Sequence, residues 1–149
     1  MNSDFKDLLR LLSEEEVEYL IVGGYAVIYH SQPRFTKDLD LWLRPSKENA
    51  ARVMRTFQRF GLPLLGDVTS SDFASEGLQY AIGRPPSMID FLTSIPGLDF
   101  ETCWKNRAIA EDSSISLLFL SKSDLIQAKK TAGRPQDLAD IEELNRIDS

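Results

Sequence analysis

Apolar residues recur along this chain with two different periods, and the change from one to the other marks its elements. Phe5, Leu8, Leu9 and Leu12 fall at helical spacing, and Ser3 or Asp4 can cap the turn before them. A first helix is therefore expected from near Ser3 to Glu16. Tyr19 to Val22 is a short unbroken apolar run, which reads as a buried strand. Gly23-Gly24 ends it, and Tyr25 to His30 reads as a short helix. From Asp38 to Leu43 the period drops to two. Leu39, Leu41 and Leu43 share one face, assigned to the core, while Asp38, Asp40 and Trp42 share the other. Ser46 caps a helix to about Phe60, closed by Gly61. Gly61 to Glu76, rich in Gly, Ser and Asp, is expected to be loop. Leu78 to Ile82 and Met88 to Thr93 read as strands around a Pro-rich GRPPS turn, and Ile115 to Leu120 as another. Ser121 caps a helix carrying Leu125, Ile126 and Lys129. Gly133 closes it, and Pro135 opens a last helix with Leu138, Ile141 and Leu144 along one side. Helices and strands are mixed, with helices at both ends. The class is α+β, or α/β-like, with a mixed sheet flanked by helices.

Composition narrows the setting. A chain of 149 residues, 42% hydrophobic and 27% charged, fits one compact domain over residues 1–149. No run is long and apolar enough to span a membrane. The acidic, amphipathic start is not a secretory signal. A single cysteine, Cys103, excludes an internal disulfide and fits a reducing, cytoplasmic location. With one histidine, His30, the chain has too few Cys and His for a zinc site. The net charge of −6 argues against a surface that coats nucleic acid. It leaves room for a local basic pocket taking one nucleotide or one RNA end.

The candidate chemistry lies in T-K-D-L-D-L-W-L. Strands avoid Asp, yet Asp38 and Asp40 interrupt this one, roughly 6–7 Å apart at the backbone. Like charges that close repel unless a cation lies between them. Magnesium suits the place, because it is often held by a few carboxylates plus substrate phosphates. A D-x-D on a solvated edge needs no ligand, but here the flanking leucines anchor the strand. Asp90 interrupts a second apolar run, S-M-I-D-F-L; its plain reading is an edge or a strand end. Two strands each carrying an unexpected Asp point to one shared site. Gly23-Gly24 allows a sharp turn and close ligand approach, and the helix after it offers free N–H groups to an anion. A tight strand-to-helix turn alone would also explain the pair. Arg34 and Lys37 could add positive charge for phosphates, although each by itself fits a solvated loop.

Together, V-G-G at 22–24, D-L-D at 38–40 and I-D-F at 89–91 resemble the nucleotidyltransferase superfamily with the DNA polymerase beta-like fold. Its hallmark is a strand, G-[GS], a short helix, D-x-D on the next strand and a third Asp on a later one. The run D-L-I-Q-A-K-K-T-A-G-R-P-Q-D-L-A-D-I is similar to the C-terminal helices of small bacterial members, including toxin-like enzymes of toxin–antitoxin and phage-defence systems. The resemblance spans about Tyr19 to Leu144. It implies a mixed sheet with helices on one side and a nucleotide pocket at its rim. Asp38 and Asp40 would hold magnesium, and Asp90 would complete the metal site and help deprotonate an acceptor hydroxyl. Gly23 and Gly24 would cradle the triphosphate, and Lys129 would reach the nucleotide. The acceptor would attack the α-phosphorus of a nucleoside triphosphate and pyrophosphate would leave. That acceptor would be a tRNA end, a protein or a small molecule, and an antitoxin or a second copy of the chain could help form its side of the site. The rival reading is a nucleotide sensor or partner-binding module without turnover. Many members carry Gly-Ser where this chain has Gly23-Gly24, so a serine hydroxyl able to touch a phosphate is missing. Among the remaining residues, Lys129 also suits a helix C-terminus and Asp137 a helix N-terminus. Asp140 reads as solvated or salt-bridged, Arg134 as its or Asp137's partner or a phosphate contact, His30 as a hydrogen-bonding core or rim residue, Trp42 as a packed aromatic that could border the pocket, and Cys103 as a buried small hydrophobe.

Overall fold

The computed structural model describes residues 1–84 and 88–146. The elements run α1 (Ser3–Glu14), β1 (Tyr19–Val22), α2 (Gly23–His30), β2 (Leu39–Leu43), α3 (Lys47–Phe60), α4 (Ser70–Phe73), β3 (Gln79–Ile82), β4 (Ile89–Leu92), α5 (Phe100–Lys105), β5 (Ala108–Asp112), β6 (Ile115–Phe119), α6 (Lys122–Ala132) and α7 (Pro135–Arg146). Residues 85–87 of the expected Pro-rich turn lie outside the described residues.

All six strands join one sheet in the order β3-β4-β2-β1-β6-β5. β1 pairs antiparallel with β2 and parallel with β6, and β2 pairs parallel with β4, so the sheet is mixed as expected. β1 and β2 are central. That explains why Tyr19–Val22 is buried throughout and why Trp42 is 1% exposed. The face of β2 opposite its leucines is thus not a solvent face. Trp42 meets Phe100 of α5 edge-on at 5.0 Å between ring centroids. On the other face, Phe91 meets Phe57 of α3 and Phe73 of α4. Helices therefore cover both faces, correcting the one-sided arrangement implied by the resemblance.

The caps show why the helices stop where they do. Asn2, rather than Ser3 or Asp4, caps α1 by accepting from the Phe5 N–H at 2.9 Å. Ser46 and Ser121 cap α3 and α6 as expected, and Gly61 and Gly133 close them in the left-handed region. Asn49, 1% exposed, binds Glu18 through both its backbone N–H and C=O and also the Arg44 carbonyl. This clamp fixes the start of β1 against the end of β2, the pair that bears the site.

Three elements escape the periodic pattern. α4 and α5 are four and six residues long, too short to show a helical stripe. β5 is an edge strand with no buried residue. The apolar side assigned to the last helix holds only toward its end, where Leu144 is fully buried and Ile141 half-buried. Leu138 is 55% exposed, whereas Asp137 and Asp140 are each 2% exposed and turned inward. Burial of those carboxylates follows from the cations that meet them, described below.

Candidate active site

The register of the two strands brings the carboxylates together. Asp40 on β2 lies directly beside Asp90 on the parallel β4, two residues before Trp42 beside Leu92. Residues in register on neighbouring strands point the same way, so Asp40 and Asp90 project from one face. On its other side Asp40 is paired with Val22, the last residue of β1. The Gly23-Gly24 turn therefore rises next to the carboxylates. Gly23 has φ +67°, a conformation that favours glycine. A Cβ on Gly23 would fall closer than 3.0 Å to the Asp40 carboxylate, and one on Gly24 equally close to the Thr36 hydroxyl. Gly23→Ala should thus lower stability by about 2 kcal/mol or more, from the left-handed backbone alone and from displacing Asp40. Thermal melts of the variant would check this; an unchanged melting temperature would refute the close packing.

Asp40 sits in a field that disfavours its charged form. Burial, a hydrogen bond shared with Asp90, and the charges of Asp90 and Asp38 push its pKa up to about 7, against the opposing pull of Lys129. Asp38 sits just before β2 and is half-buried. Without a cation, the crowding of carboxylates favours the neutral form of Asp40. A hard cation fits the same place chemically. Among the described residues no group of three or more His, Cys, Asp or Glu is arranged to enclose a metal. The protein would then supply only part of a coordination shell, a pattern Mg2+ accepts when phosphates and water supply the rest.

Beside the carboxylates opens a cavity of about 410 Å3. Gly23, Asp40 and Lys129 line its polar side, and Leu92, Ile95 and Leu125 are among its apolar walls. The cations expected from the sequence take different places. Lys129, in the last turn of α6, lies 2.9 Å from Asp140 and 3.6 Å from Asp137 while also bordering the cavity. Arg34 binds Asp140 at 2.6 Å, tying the segment before β2 to α7. Lys37 is exposed. Arg134 grips Asp137 through its backbone N–H and its guanidinium, and borders the cavity too. Burial would raise the Asp140 carboxyl, but bonds from Arg34, Lys129 and Gln136 hold it below the usual range. The Arg134 guanidinium does the same for Asp137. His30 Nε2 meets the Leu120 carbonyl at 2.8 Å, a hydrogen-bonding contact from a residue that does not itself line the cavity, and burial draws its pKa down. Sequence reasoning passed over Thr36, whose signal was its spacing of two before Asp38.

Residues 3–149 match the model of a family described as "Nucleotidyltransferase of unknown function (DUF6036)". The chain belongs to this family. Its fold agrees with solved nucleotidyltransferases. The lincomycin-bound lincosamide antibiotic adenylyltransferase LnuA is 13% identical, with TM-score 0.60 over 99% of this chain and 98% of that one. A putative nucleotidyltransferase from Thermotoga maritima, TM1012, is 12% identical, with TM-score 0.61 over 97% and 91%. An antigenic nucleotidyltransferase-like protein from Paracoccidioides brasiliensis is 16% identical, with TM-score 0.53 over 94% and 71%. No curated protein matches the sequence. The nucleotidyltransferase resemblance read from V-G-G, D-L-D and I-D-F thus holds at the level of family and fold. Among the described residues no helix of this chain is long and apolar enough to cross a membrane.

Proposed function

We propose that this chain is a Mg2+-dependent enzyme that moves a nucleoside monophosphate from a nucleoside triphosphate to an acceptor hydroxyl. The observation that carries this reading is the in-register pair Asp40 and Asp90, set against the Gly23-Gly24 turn. Asp40 and Asp90, with Asp38 beside them, would hold Mg2+, which when bound neutralises triphosphate charge and the leaving pyrophosphate. The first-turn N–H groups of α2 face the phosphates. Lys129 adds positive charge on the cavity wall. Asp90 receives the acceptor's proton as the acceptor oxygen bonds to the α-phosphorus and the α–β anhydride bond breaks. Little covalent work falls to the protein, so positioning and charge dominate.

The acceptor is a hydroxyl on RNA, protein or a small molecule. The partly apolar cavity is of a size that takes small ligands, and a neighbour of the same fold is a lincosamide adenylyltransferase in its lincomycin-bound form. Both support the small-molecule arm. The deciding experiment incubates the protein with Mg2+ and each α-labelled nucleoside triphosphate, in parallel with cell RNA, cell protein and a small-molecule extract. Label should move into one fraction and fail to move with the Asp38→Asn, Asp40→Asn double variant. Nucleotide binding with no transfer into any fraction would defeat the enzyme reading.

A further inference from the structure

The two glycines of the turn leave room for two different neighbours. Gly23 admits the Asp40 carboxylate, and Gly24 admits Thr36. The Thr36 hydroxyl fills the volume that a side chain on Gly24 would occupy, directly against the first turn of α2. That turn has no side-chain cap, because its N-cap is Val22. The N–H groups of Gly23 and Gly24 therefore have no partner within the helix. Thr36 is half-buried, and its hydroxyl has no hydrogen-bond partner among the described residues. Thr36 and Asp38 lie in the irregular segment just before β2 and Asp40 within it; the adjacent glycines, Gly24 against Thr36 and Gly23 against Asp40, bring the hydroxyl and the carboxylate to the same turn.

We propose that Thr36 is a phosphate ligand. Its hydroxyl donates to a non-bridging oxygen of the nucleotide's triphosphate, alongside the first-turn N–H groups of α2. The hydroxyl that a serine at position 24 would present from the helix comes here from the segment before β2. Glycine at 24 is what lets it approach. The inference rests on the nucleotide site proposed above, and its test separates the two.

Calorimetry with Mg2+ would first find which nucleoside triphosphate the wild-type chain binds, then compare that triphosphate with its monophosphate. Thr36→Val keeps the shape and removes the hydroxyl. It should bind the triphosphate roughly tenfold more weakly, the effect of one hydrogen bond to a charged group, with monophosphate binding and melting temperature unchanged. Thr36→Ser should bind like wild type. The double variant Gly24→Ser, Thr36→Gly, which moves the hydroxyl onto the helix, should recover most of the triphosphate affinity. Thr36→Val binding the triphosphate as tightly as wild type would overturn the inference. So would equal losses for mono- and triphosphate, which mark packing rather than a phosphate contact. A wild-type chain that binds none of the four triphosphates overturns the nucleotide site itself, a different result from a bound nucleotide indifferent to Thr36.

Discussion

Asp40→Asn should reduce nucleotide transfer by roughly a thousandfold or more and, with Mg2+ chelated, make the protein more stable rather than less. The two effects have one cause. Asp40 is held beside Asp90 and near Asp38 in a largely buried position, so its folded pKa of about 7 lies far above the value of 3.8 expected of a free Asp. A folded group with a raised pKa contributes stability that is full below its unfolded pKa and is lost as pH rises through its folded pKa. The window here runs from about pH 4 to pH 7. Across it, metal-free wild type should lose up to about 4 kcal/mol relative to Asp40→Asn, whose amide carries no charge. His30, with a lowered pKa, acts in the opposite sense, so the difference between wild type and variant at each pH is the informative quantity. Urea denaturation at pH 4.5 and pH 8 in the presence of chelator measures it. Addition of Mg2+ at pH 8 should raise wild-type stability by binding the folded form and leave the variant unmoved. Parallel pH curves for the two proteins would show that Asp40 is not the strained group.

What the sequence revealed of this site, and what it hid, follows from the range of each signal. D-L-D and I-D-F were legible because a carboxylate inside a strand breaks a strong local pattern, and both strands lie where expected. That they share one site was inferred from the two anomalies together, but the register that joins them was not legible. It depends on β2 pairing in parallel with β4 across α3, α4 and β3, a contact that no local period encodes. Trp42 was placed on the carboxylate face correctly, but the burial of that face needs α5, a helix too short to be seen. The last helix misled for a different reason. Alternating apolar and charged residues predict an inward Leu138, and they do so as long as the carboxylates face water. Asp137 and Asp140 face inward instead because cations meet them. The Arg134–Asp137 pair is local and was legible, whereas Arg34 and Lys129 come from other segments, and reading those contacts would require the fold first.

Lys129→Met should destabilise the chain by about 3 kcal/mol, the cost of removing one partner from a buried ionic group. In a chain of this length that lowers the melting temperature by roughly 10 °C. Lys129 has a side chain only 12% exposed and, among the described residues, is the one cation paired with both buried carboxylates. Without it Asp140 keeps Arg34 and Gln136, and Asp137 keeps Arg134, whose side chain is 75% exposed. Because both carboxyls are held below their usual pKa, their contribution is present above about pH 4 and lost as pH falls through their folded values. The deficit of the variant should accordingly shrink below pH 4, where the orphaned carboxylates can take protons instead of a cation. Lys129 also lowers the proton affinity of Asp40 and borders the cavity. The variant should therefore bind nucleotide more weakly even at temperatures where it is fully folded. If the melting temperature holds while nucleotide affinity falls, Lys129 acts on the ligand alone and the buried carboxylates rest on the arginines. If stability falls at neutral pH and the gap does not narrow in acid, packing of the lysine stem rather than its charge supports the C-terminal helices.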